Sequence, residues 1–134
     1  MLLNSDILIA TGVVLSPLGY ILARHLLGKM LFIKKEQVIT KHGKLRQQSL
    51  HLMESVSQRM VNSHDDSETI GNEVTYADFY RQLKANHVSN LSDKLIVRVK
   101  RSNNPLKLEK AAHRLEQQEL RLKEAEMMLH YARV

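Results

Sequence analysis

Ile7 to Ala23 is a run of 17 residues without a single charge, and no other feature of the chain limits its folding options as strongly. As a helix rising about 1.5 Å per residue, the run would extend roughly 26 Å, slightly less than the ~30 Å hydrocarbon core of a bilayer. Its apolar character continues on both sides. Leu2 and Leu3 precede it, and residues 24–33 keep an apolar face while Arg24 and Lys29 can snorkel toward headgroups. A water-soluble fold would have to bury this run, yet the chain offers no Trp, two Phe and four Tyr to build a core around it. The sequence therefore predicts a transmembrane helix rather than a buried hairpin helix. No Lys or Arg stands before Ile7 and no small-x-small cleavage site follows, so the segment is expected to be retained.

Charge is segregated along the 134 residues. Residues 24–61 hold eight basic and two acidic side chains, residues 62–79 hold five acidic and none basic, and residues 80–104 hold six basic and one acidic. The first basic block follows the apolar run directly, with Arg24, Lys29, Lys34 and Lys35 nearest to it, and suits contact with anionic lipid headgroups. All of this charge lies C-terminal to the run. The N-terminus is accordingly expected outside, with the C-terminal part in the cytoplasm of a bacterial inner-membrane protein. Within the run, Gly12, Ser16, Gly19 and Ala23 recur along one helical stripe, the chemistry of close transmembrane helix pairing. Pro17 removes an intrahelical hydrogen bond and predicts a kink.

Beyond the membrane segment (1–33) the pattern is helical. Over 34–61, Val38, His42, Leu45, Ser49, Leu52, Val56 and Met60 share one face, which predicts a long amphipathic helix. It is expected to continue from the span, with weak points at Gly28 or Gly43. Because its stripe contains a His and a Ser, it needs a partner helix. The polar, acidic stretch 62–74 reads as a connecting loop. Residues 75–134 then form a helical interaction region. Thr75 with Asp78 approximates a capping box before a short helix from about Tyr76 to Asn86 that carries Phe79 and Tyr80.

Leu95, Val97 and Val99 alternate with Ile96, Arg98 and Lys100, so residues 94–100 favour a short strand or extended edge; lacking a partner strand, they would otherwise be helical. Asn104-Pro105 is a cap followed by proline at the first helical position. After it, Leu108, Leu115, Leu122 and Leu129 recur at heptad spacing, with Ala111, Gln118, Ala125 and Ala132 between them. This predicts a coiled-coil-like or bundled helix with a leucine seam. The fold class expected is all-α.

Chemistry is sparse. The seven His never stand three or four residues apart, there is no Cys, and no phosphate-cradling or nucleophile motif occurs. No catalytic residue, metal ligand or cofactor is expected. Arg81, Lys84, Lys94, Arg98, Lys100 and Arg101 form a second basic region without interleaved aromatics, so nucleic acid is possible but not favoured as a partner. The expected function is that of a non-enzymatic, single-pass membrane protein, a structural or adaptor subunit that forms homo- or hetero-oligomers through helix contacts. The layout resembles that of small envelope adaptors, a likeness of plan without a shared motif. Two alternatives are a virion membrane protein linking an internal bilayer to capsid or DNA, and a membrane tether for nucleic acid.

Overall fold

The structure, a computed structural model, describes residues 17–62, 68–71 and 73–132. The described residues are predominantly helical: α1 (Pro17–Asn62), β1 (Thr69–Gly71), β2 (Val74–Thr75), α2 (Tyr76–Asn90), α3 (Asp93–Arg101) and α4 (Pro105–Tyr131). The chain divides into two units, Met1–Glu36 and Gln37–Val134. In the first, Leu18, Ile21, Leu26, Met30 and Phe32 are all more than half exposed on α1. Among the described residues no helix is long and apolar enough to cross a membrane. Ile7–Ser16 of the uncharged run, together with Gly12 and Ser16 of the small-residue stripe, lie outside the described residues.

The second unit is a helical bundle. Its core follows the stripe read from the sequence: Val38, His42, Leu45, Ser49, Leu52 and Val56 are all buried on α1. Helix α2 runs antiparallel to α1, since Tyr76 at its start meets Arg59 and His87 near its end meets Ser49. Helix α4 runs parallel to α1, because Lys41 reaches Glu119 and Gln48 reaches Glu126. Leu108, Leu115, Leu122 and Leu129 are buried, with Gln118 and Ala125 between them. Burial of a leucine stabilises by about 1.5–3 kcal/mol, so this row is a principal source of cohesion.

Both predicted caps form. The Thr75 hydroxyl accepts from the Asp78 amide at 3.1 Å, and the Asn104 side chain accepts from the Leu106 amide at 3.0 Å. Helix α1 continues through Gly28 and Gly43, where an added Cβ would meet nothing within 4 Å. Neither glycine is required by packing.

Two local expectations are corrected. Residues 94–100 are helical, not a strand. Asp93 at the first turn and Arg98, Lys100 and Arg101 in the last complement the helix dipole at both ends. Val99 is buried and Leu95 and Ile96 are half-buried while Val97 is exposed, a one-sided helical pattern that alternation cannot produce. Strand structure occurs instead inside the stretch expected as loop. Thr69–Gly71 and Val74–Thr75 pair antiparallel through Thr69 with Thr75 and Gly71 with Val74, and Glu73 adopts a left-handed φ of 64° in the connection. The Tyr76 amide donates to the Glu68 carbonyl at 3.3 Å, joining this hairpin to the start of α2.

Candidate functional site

Three features of the described residues carry chemistry. The first is a polar layer inside the bundle. Ser49 is fully buried on α1, and its hydroxyl lies 3.0 Å from Nδ1 of His87 on α2. The Asn86 amide donates to Gln118 of α4 at 2.6 Å, and Asn90 donates to Asn86 at 2.8 Å. Arg46 of α1 pairs with Asp93 at the start of α3. Helix α1 thus contributes a hydroxyl, α2 an imidazole and two amides, and α4 an amide. Contacts of this kind, buried at Ser49 and Gln118 and exposed at Arg46–Asp93, favour one pairing of helix faces, since another register would strand the buried members.

His42 is the exception in this layer. It is 3% exposed, and among the described residues neither ring nitrogen makes a well-formed hydrogen bond, the Ser92 backbone offering only a weak one. It lines a cavity of about 30 Å³ with Val38, Asn90, Val99, Arg114 and Leu115. Burial lowers its pKa below the ordinary 6.5; Arg46 and His87 push the same way, while the Ser92 backbone and Asp93 oppose them. His87 is lowered too, by burial first and by Arg46 next, against Asp93. Both imidazoles are therefore neutral near pH 7. The Ser49–His87 pair places a hydroxyl against a ring nitrogen, but Ser49 is closed to any substrate, so what this contact does is hold two helices in register.

The second feature is a cleft of about 730 Å³ between α3 and α4, lined by Arg98, Arg101, Lys107, Lys110 and Arg114 with Ser102 and Asn104. No acidic side chain lines it. Its floor is the apolar trio Val99, Leu108 and Ala111. The second basic region expected from the sequence contains Arg98 and Arg101, but its other members, Arg81, Lys84, Lys94 and Lys100, do not line the cleft. The missed members, Lys107, Lys110 and Arg114, lie across the turn at 102–104, and only the α3–α4 corner brings them to the same place.

The third feature is the apolar face of the first unit. Arg24 and Lys29, two of the four side chains expected at headgroups, are exposed on α1; Lys34 and Lys35 are half-buried. Of the small-residue stripe, Gly19 and Ala23 fall within α1. The four leucines of the seam are buried within the chain, so none of them is an exposed surface in this structure. Among the described residues no group of His, Asp and Glu is arranged to hold a metal ion. No protein-family model matches the chain, and no curated protein or solved structure is detectably similar to it.

Proposed function

We propose that the chain is a non-enzymatic, single-pass membrane protein that serves as a structural or adaptor subunit of a membrane-associated assembly. The observation that carries this reading is the apolar surface of the first unit. Leu18, Ile21, Leu22, Leu26, Met30 and Phe32 are between 57 and 75% exposed, and they continue an uncharged run that starts at Ile7. Water penalises a contiguous apolar surface of this kind, whereas lipid or a neighbouring helix accepts it. The four seam leucines are buried within the chain itself. The role of the second unit is then to carry surface chemistry at a fixed place beside the bilayer, while helix pairing falls to the Gly12, Ser16, Gly19 and Ala23 stripe.

Orientation follows from the basic residues, all of which come after the run. Cysteines introduced singly at Asn4 and Ser63 test it in a chain that has no other thiol. An impermeant thiol reagent applied to intact spheroplasts should label Asn4→Cys and spare Ser63→Cys. The reverse pattern overturns the orientation, and release of the protein from membranes at alkaline pH overturns the anchoring itself. For the stripe, Gly19→Leu should weaken association in membranes and Val14→Leu should not; equal effects would remove its role.

A further inference from the structure

The cleft between α3 and α4 is built at some cost to the helix that forms half of it. Helix α4 has no acidic residue in its first turn and instead places Lys107 there and Lys110 just beyond, where the positive end of the helix dipole disfavours cations. Arg98, Arg101 and Arg114 add three further positive charges to the same cleft. None of these five makes an ion pair within the described residues. Lys107 stands against the dipole of its own helix while Arg98 and Arg101 sit at a helix end that favours them, and five cations crowded into one cleft without carboxylate partners mark a site whose missing charge is supplied from outside.

Position and composition point to what supplies it. Because α4 runs parallel to α1, the cleft lies at the end of the second unit where Gln37 begins it; Val38 and Ile39 share a small cavity with Val99, Ala111 and Arg114. In sequence, only Glu36 separates Gln37 from the apolar and basic stretch 7–35. The acidic hairpin residues Glu68 and Glu73 come after the other end of α1, so the unit is positive where Gln37 begins it and negative at the far end. Beside the cations, Leu106 in the first turn of α4 is 71% exposed. An apolar side chain set among cations fits a headgroup boundary, where both find a complementary environment, better than it fits a nucleic-acid backbone.

We infer that this cleft binds the phosphate of anionic lipid headgroups and holds the Gln37 end of the helical unit against the bilayer surface. The inference rests on the anchoring proposed above, and the test separates the two. The full chain carries a single fluorophore, either at Val97→Cys on α3 or at Val61→Cys near the far end of α1, and is mixed with vesicles bearing a headgroup quencher. Vesicles are phosphatidylcholine with or without phosphatidylglycerol. Quenching at residue 97 should exceed that at residue 61 several-fold and should require phosphatidylglycerol. It should be lost in the Arg101→Gln/Lys107→Gln/Lys110→Gln variant. That variant should melt close to the wild-type temperature, since Lys107 leaves the unfavourable start of α4 while Arg101 leaves the favourable end of α3.

If the chain floats with both kinds of vesicle but residue 97 is quenched no more than residue 61, the cleft assignment is overturned and the anchor stands. If the chain floats only with phosphatidylglycerol and the triple variant does not float, the anchor falls and the cleft assignment stands. Failure to float with either overturns both. Displacement of the quenching by inorganic phosphate beyond that by chloride at equal ionic strength, or by a short DNA duplex at charge equivalence, reassigns the cleft to a free phosphate or to nucleic acid and overturns the lipid assignment.

Discussion

Replacing His42 with leucine should stabilise the second unit and remove part of its sensitivity to acid. His42 is buried with neither ring nitrogen in a well-formed hydrogen bond among the described residues, and an unsatisfied buried polar group costs about 1–3 kcal/mol. Leucine restores apolar contact with Val38, Val99 and Leu115, and the neighbouring 30 Å³ cavity gives its different shape room without overpacking. A net gain of about 1–2 kcal/mol follows, or a rise in Tm of about 4–8 °C for each kcal/mol in a unit of roughly 100 residues. The pH dependence has a definite sign. Burial lowers the folded-state pKa of His42, so the unfolded chain binds the proton more readily. The stability that depends on neutral His42 is complete above the unfolded-state value near 6.5 and is lost as pH falls through that value toward the lower folded-state one. The charged groups around it are Arg46 on its own helix, His87 on α2, Asp93 on α3 and Arg114 on α4. Thermal melts of the full chain in detergent, followed by circular dichroism between pH 7.5 and 5, are the assay. The wild-type chain should lose stability over this range, and His42→Leu should lose less, with His87 still titrating. A lower Tm for His42→Leu at neutral pH, or parallel losses for the two proteins on acidification, would refute the reasoning.

Leu122→Ala should cost about 2–5 kcal/mol in urea unfolding, because Leu122 is 1% exposed and its removal leaves a cavity. A cost below 1 kcal/mol would mean that α4 is not part of the core. Thr75→Ala removes the hydroxyl that accepts from the Asp78 amide and should destabilise by about 0.5–2 kcal/mol, with Thr75→Ser recovering most of it. Lys41 and then Lys123 hold the Glu119 carboxyl below the usual carboxylate range, so its contribution is present above the ordinary value near 4.5 and fades as pH falls through the lowered one. Glu119→Gln should accordingly have a smaller effect than Leu122→Ala at neutral pH, and one that shrinks as salt is raised.

What was legible in the sequence is what depends on neighbours within a few residues. The α1 stripe from Val38 to Val56 and the α4 leucines follow from helical spacing, and the Thr75 and Asn104 caps from residue type directly before a helix. Helix α3 was misread because in nine residues a few valines and an isoleucine satisfy both a period of two and a one-sided helix. The dipole-matching charges at its ends decide for the helix. The polar layer was invisible because Ser49 and His87 are 38 residues apart and Asn86 and Gln118 are 32 apart. Such pairings are set by which helices lie side by side, and nothing local encodes that α1 and α4 run parallel. The basic cleft was half legible for the same reason, since its cations fall on two helices separated by a corner.

The parallel course of α1 and α4 also decides how the second unit answers to force. Its first helix begins at one end, and its last helix finishes at the other, so a pull between Gln37 and Tyr131 acts along both helix axes. The leucine row, the polar layer and the Lys41–Glu119 and Gln48–Glu126 contacts are then sheared together instead of being peeled one at a time, as they would be in a two-helix hairpin pulled open at its ends. Unfolding under tension is governed by the barrier to that collective step.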